Sequence, residues 1–290
     1  GGISAKEAII RSSRPINNIH EAVKADVIRN GVSPSRIHPP LGETKPELKL
    51  AGFIKQKHQD VCVSPEGYIP AEEIMTEGIL REATDYYGIA YTERTISINI
   101  RSQMSSLAKN FDTLYERTIA EAQNLHVRCQ KMVLGEVYMI PVKEYDSEAM
   151  KNNEIKFIDK IGAVEKYIKS FQAINGRIDF DREEYKYERV CLLLVDFEKT
   201  PVKLYSKNID LINDGLLLKD SDASIDELSW ESFTKNILTI YNARFKWLTL
   251  TPYLLIRNSF ISALSFNSRN KLISSWEKSG MENFSMKFFW

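Results

Sequence analysis

The chain has 290 residues, 43% hydrophobic and 27% charged; that is globular composition, enough for one large domain or a main domain with a smaller partner, and it excludes the disordered class. Thirty-nine Lys and Arg balance 39 Asp and Glu, which argues against a histone-like or polybasic membrane binder and leaves an enzyme with a focused basic cleft open. No stretch approaches the ~18 uninterrupted apolar residues of a membrane span, and the N-terminus lacks a signal-peptide pattern, so an intracellular chain with no membrane partner is expected. Cys62, Cys129 and Cys191 sit in or beside apolar strand-like segments and read as buried free thiols. Wide cysteine spacing and only four histidines (His20, His38, His58, His126) exclude the compact zinc patterns. No glycine-rich phosphate loop of either common type is present.

In chain order, residues 1–30 read as one or two helices around Pro15, with Gly31 as a stop. Residues 31–47 carry four of the ten prolines and predict an irregular arm or crossing loop, from which Arg36 and His38 could touch a partner. Residues 48–67 read as two strands, the second being "DVCV"; residues 71–90 contain a short helical run; "ERTISINI" (93–100) is a clear strand. Leu107, Phe111, Leu114, Thr118, Ala122 and Leu125 recur at helical spacing, predicting one long amphipathic helix to about His126. "KMVLGEVYMIPV" (131–142) is a strongly apolar, central strand, and residues 146–174 read as largely helical. A buried strand (188–197), a neighbouring strand (202–207) and a helix from near Ser229 follow, then a break at Pro252 and an aromatic tail with Trp276 and Trp290. The pattern implies an α/β fold with a central mixed β-sheet flanked by helices, plus extra N- and C-terminal helical elements.

Three places could carry chemistry. Asp60 opens an apolar strand behind "KQKHQ", so a carboxylate and the cations Lys55, Lys57 and His58 meet at a strand edge; that suits a phosphodiester with a divalent cation, though a strand-entry Asp among solvated lysines reads the same way. "SINIRSQMSSLAKN" delivers Arg101, Ser102, Gln103, Ser105 and Ser106 to a strand end and a helix start whose free N–H groups suit phosphate oxygens; Asp112, Glu116, Arg117 and Glu121 follow on the helix, where an exposed face of Glu–Arg pairs is the alternative. Glu136, amid Val133, Leu134, Val137, Met139 and Ile140, is costly unless paired or metal-bound, and a helix arginine such as Arg117 could pair with it. Glu154-Ile155-Lys156 lies in a charge-rich helical stretch and is set aside as a chance E-x-K triplet.

Three segments, "PPLGETKPELKLAGFIKQKHQDVCV", "SINIRSQMSSLAKNFDTLYERTIAEAQNLH" and "MVLGEVYMIPVKEYD", together resemble a type II restriction endonuclease of the PD-(D/E)XK nuclease superfamily over roughly residues 39–200. The resemblance implies a mixed sheet between helices and Mg²⁺-dependent cleavage of double-stranded DNA to 5′-phosphate and 3′-hydroxyl ends. It also implies a homodimer acting in host defence in the cytoplasm of a bacterial or archaeal cell. The first motif acid falls on Asp60, preceded by Gln59 where the family has proline; the second motif falls on Ser97, Asn99, Arg101 and Gln103, with neither acid nor lysine. Some members move the second carboxylate into the following helix, which implies Asp112, Glu116 or Glu121 here, with Glu116 preferred. On that basis Asp60, Glu116, Asp112 and Glu121 are the candidate metal ligands. Lys57 and Arg101 join Asp60 and Glu116 as candidate catalytic groups. Arg36, His38, Ser102, Gln103, Ser105, Arg269 and Asn270 are the candidate DNA contacts, with Arg244, Lys246, Arg257 and Asn258 as further polar groups of the C-terminal part. Residues 1–210 would form the nuclease core with its helical arm, and residues 211–290 a mainly helical region for DNA recognition or dimerisation. The alternatives are a non-catalytic DNA-binding regulator on a degenerate nuclease fold, a repair or modification-dependent nuclease, and an unrelated α/β protein.

Overall fold

The computed structural model describes residues 14–159 and 161–245. Six strands form the main sheet: β1 (Ile37–His38), β2 (Val61–Val63), β3 (Ile96–Ser102), β4 (Val133–Pro141), β5 (Arg189–Asp196) and β6 (Lys203–Tyr205). They lie side by side in chain order. β1–β2, β2–β3 and β5–β6 pair antiparallel, whereas β3–β4 and β4–β5 pair parallel. Parallel neighbours need a crossover. Four helices matter for the layers: α1 (Arg14–Arg29), α2 (Leu107–His126), α3 (Ile161–Ala173) and α4 (Trp230–Phe245). α2 carries the chain from β3 to β4, and α3 from β4 to β5. The result is a mixed α/β fold whose central sheet is flanked by helices.

The period-2 alternation of the strands sorts their side chains into two cores. Ile96, Ile98 and Ile100 join Val133, Val137 and Met139, and pack under Val23 and Val27 of α1 and Phe233 and Ile237 of α4. On the opposite face Leu134, Tyr138 and Ile140 meet Phe111 and Leu125 of α2 and Val164 and Phe171 of α3. All nine residues of β4 are buried, as expected for a parallel strand covered on both faces. Gly135 lets α4 close on the sheet, since a Cβ there would stand 2.6 Å from Ile237 Cδ1. Leu216, Leu217, Ile225 and Leu228 belong to the α2–α3 side core. With α4 also seated on the sheet, residues 211–245 contribute to the same two cores as the preceding chain.

Several local expectations are corrected. Residues 71–90 form a small hairpin, Glu73–Ile74 against Thr84–Asp85, rather than a helical run. Gly78 and Glu82 turn the chain at positive φ, and Arg128 clamps Glu73 at 2.6 Å and Asp85 at 2.8 Å. The stretch 146–174 is interrupted: a five-residue helix, Ser147–Lys151, precedes a positive-φ Asn153, and Phe157–Asp159 then pairs with Lys143–Tyr145 before α3 begins. The proline-rich arm contributes β1, through Ile37 opposite Val63. Residues 48–67 hold three strands, because Lys49–Ala51 and Gln56–His58 pair as a separate hairpin ahead of β2. All three cysteines are buried and free. Among the described residues no helix is long and apolar enough to cross a membrane.

Candidate active site

Asp60 stands one residue ahead of β2, where its Oδ2 accepts the Ile100 N–H of β3 at 2.8 Å. Asn124 of α2 holds the turn of the hairpin before it. Asn124 Oδ1 accepts the N–H groups of Ile54 and Lys55 at 2.7 and 2.9 Å, and its carbonyl accepts Phe53 N–H at 2.7 Å. Gly52 permits that approach, since a Cβ there would fall 2.3 Å from Asn124. Gln59, in the place of the family's proline, accepts from Ser97 Oγ at 3.1 Å and donates to Lys57 O at 3.1 Å. Lys57 and Asp60 are thereby set on one rim of the α2 face of the sheet.

Arg101 is the hub. Its guanidinium donates to Glu136 Oε1 on β4 and to Glu121 Oε2 on α2, and reaches Thr118 Oγ1 at 3.2 Å. Glu121 also takes the Lys57 ammonium at 2.6 Å, and Arg117 Nε approaches it at 3.6 Å. Register places Asn99 beside Glu136. These two side chains are 1% and 0% exposed, and neither Asn99 Oδ1 nor Glu136 Oε2 has a hydrogen-bond partner among the described residues. Toward the rim Asp60 is half-buried and the Lys57 side chain 27% exposed. The cluster thus runs from a solvent-accessible edge to a fully buried carboxylate.

The electrostatics follow from burial and from the count of donors. Burial pushes Glu136 up to about 7, opposed by Arg101 and reinforced by Glu121 and Asp60. Burial also works against an ionised Glu121, but Arg101 and Lys57 more than offset it and hold that carboxyl below its ordinary value. Arg101 itself is kept charged: burial opposes the charge, and Glu136 and Glu121 outweigh it.

Of the candidate residues, Asp60, Lys57, Arg101 and Glu121 fall in or beside this cluster. Asp112 and Glu116 do not; both are exposed on the outer face of α2, Asp112 facing Lys166 at 3.3 Å. The helix phase was the available signal, since Glu121 shares the inward face of Thr118, Ala122 and Leu125 whereas Glu116 is turned about half a revolution from Thr118. Glu136 pairs with Arg101 rather than with Arg117. Gln103 is a core staple: Tyr138 donates to its Oε1 at 3.1 Å, Tyr167 does likewise, and its Nε2 donates to Ser106 O at 3.1 Å. Two amides at the start of α2 are taken as well, Ser106 and Leu107 donating to the Glu144 carboxylate at 3.0 and 3.1 Å. Ser102 and Ser105 are half-exposed beside this turn. Arg36 Nε donates to Ser64 O at 2.7 Å and His38 Nε2 lies 3.3 Å from Ser64 Oγ, so both act within the β1–β2 edge. Arg244 is bound to Glu188 at 2.9 Å. Lys246, Arg257, Asn258, Arg269 and Asn270 lie outside the described residues.

Among the described residues no three His, Cys, Asp or Glu side chains converge as a preformed metal cluster. The donor chemistry nevertheless fits a hard cation: a half-buried Asp60 and two buried oxygens without partners, Glu136 Oε2 and Asn99 Oδ1. Mg²⁺ characteristically takes one or two carboxylates and keeps several waters. Compared with protein-family models, curated proteins and solved structures, the chain finds no match.

Proposed function

We propose that the protein is a Mg²⁺-dependent endonuclease that hydrolyses phosphodiester bonds of double-stranded DNA at a specific sequence, acting as a homodimer in the manner of a restriction enzyme. One observation carries this reading: a strand-entry carboxylate, Asp60, accepts the Ile100 N–H next to Arg101 on the adjoining strand, while the following helix delivers Glu121 to Arg101 and the preceding hairpin delivers Lys57 to Glu121. That disposition matches a site whose second acid has moved into the helix, and it offers Lys57 and Arg101 where the second motif lacks its lysine.

Asp60 and a buried carboxylate of the cluster would hold the cation. Bound there, Mg²⁺ supplies Lewis-acid polarisation of the phosphodiester. Lys57, more exposed than Arg101, can meet a phosphate oxygen and compensate charge that develops on it. Arg101 fixes the spacing between Glu121 and Glu136. Sequence reading requires further side chains in a groove, with phosphate contacts setting register.

The test is incubation with bacteriophage-sized duplex DNA in Mg²⁺ and in EDTA, resolved on a gel. Discrete Mg²⁺-dependent bands with 5′-phosphate ends are expected. A smear would favour a repair or modification-directed nuclease. Intact DNA, methylated substrate included, overturns the proposal. Retarded but uncut DNA would favour a non-catalytic regulator, a reading to which the full engagement of Arg101 by two carboxylates lends weight.

A further inference from the structure

Glu121, the one of the three candidate helix acids that joins the cluster, is poorly placed to bind a cation. Glu121 accepts from both Lys57 and Arg101, with Arg117 as a third cation nearby, so its charge is already compensated. Glu136 shares only Arg101, through Oε1. Its Oε2 is buried without a partner among the described residues, and so is Oδ1 of the neighbouring Asn99. Two adjacent acceptors with no donor are an expensive arrangement in an interior, where such groups are almost always paired. Across the cluster three carboxylates (Asp60, Glu121, Glu136) meet Lys57, Arg101 and Arg117, but all three cations reach Glu121 whereas Glu136 has Arg101 alone among the described residues.

We propose that the divalent-cation site is built on the sheet, from Glu136 Oε2 and Asn99 Oδ1 with Asp60 at its rim, and that Glu121 is a positioning residue that orients Arg101 and Lys57. The site takes an oxygen-preferring ion such as Mg²⁺ or Mn²⁺, held by the buried pair and Asp60, with water filling the remaining positions. This inference rests on reading the cluster as a cation-dependent phosphodiesterase and replaces the helix acid by a carboxylate two strands from Asp60.

Calorimetric titration of Mn²⁺ into the full, EDTA-stripped chain, without DNA, tests it. One site is expected in the parent protein. Glu136→Gln and Asn99→Leu should each weaken Mn²⁺ binding by about tenfold or more, while Glu121→Gln stays within about threefold. Thermal unfolding checks that each variant folds, and Asn99→Leu alone carries the test if Glu136→Gln does not. The inference falls if the parent binds no Mn²⁺, or if Glu121→Gln abolishes binding that Asn99→Leu and Glu136→Gln leave intact. DNA cleavage separates the two claims: binding lost with Glu136 but no cut DNA supports this site and removes the nuclease, and Mg²⁺-dependent cleavage that survives both sheet substitutions keeps the nuclease and removes this site.

Discussion

Glu136 in β4 and Glu188 just before β5 are both 0% exposed, and they stand two residues apart along the sheet, since Glu188 is bonded to both backbone groups of Leu134. Glu188 is saturated. Its Oε2 accepts Leu134 N–H at 2.7 Å and faces His126 Nε2 at 3.4 Å, while Oε1 takes Arg244 at 2.9 Å and Arg177 at 3.4 Å. Burial opposes its charge, but His126, Arg244 and the Leu134 amide hold it down to about 2. Glu136 has one guanidinium and an empty oxygen, and burial carries it up to about 7. Equal burial therefore yields opposite chemistry, decided by the number of donors. Glu188 staples the end of α2, the loop at Arg177 and α4 to the sheet. Glu136 is left with one oxygen, Oε2, that has no partner among the described residues.

The sharpest way to break this comparison is to remove the saturated carboxylate. Glu188→Gln leaves Arg177 and Arg244 without their counter-charge and should cost about 3–5 kcal/mol in urea unfolding, with Mn²⁺ affinity of the folded protein unchanged. A loss under about 1 kcal/mol would show that the staple is not what holds these elements. The pH dependence of stability, measured in EDTA, comes next. Glu136 binds its proton up to about 7 when folded, against 4.5 for an unperturbed carboxyl. Between these values the native state holds the extra proton, so stability falls as pH rises, by up to about 3 kcal/mol, and Glu136→Gln should flatten that slope. Glu188 has the opposite sign: its contribution is complete above the ordinary carboxyl value and is lost as pH falls toward about 2. An unchanged slope between pH 5 and 8 in Glu136→Gln would contradict the assignment.

Smaller effects test the rim. Lys57→Met removes a partly exposed partner of Glu121 and should alter stability by only about 1 kcal/mol, while lowering the DNA cleavage rate by about 10²-fold; equal rates would remove Lys57 from the phosphate. Glu116→Ala and Asp112→Ala, on the exposed face of α2, should stay within about 0.5 kcal/mol of the parent and leave cleavage untouched. A cleavage defect in either would restore the outer face of α2 as part of the site.

Much of this molecule was legible along the chain. The apolar runs around Ile98, Val137 and Leu193 announced β3, β4 and β5, because buried parallel strands need side chains that suit two cores at once. The spacing of Phe111, Thr118, Ala122 and Leu125 announced α2, because a helix must present one apolar stripe. Asp60 and Arg101 could be singled out as charged groups at the ends of such runs. The helical expectation over 71–90 failed because clamping by Arg128 and two positive-φ turns outweighed local propensity. The choice of Glu121 over Glu116 depended on helix phase, which the periodicity contained. The partnership of Arg101 with Glu136, the bare oxygens of Glu136 and Asn99, and the saturation of Glu188 did not exist at the level of sequence. They were decided by strand register and by the seating of α2 and α4 on the sheet, since the number of donors that reach a buried carboxylate is a property of packing among segments far apart in the chain.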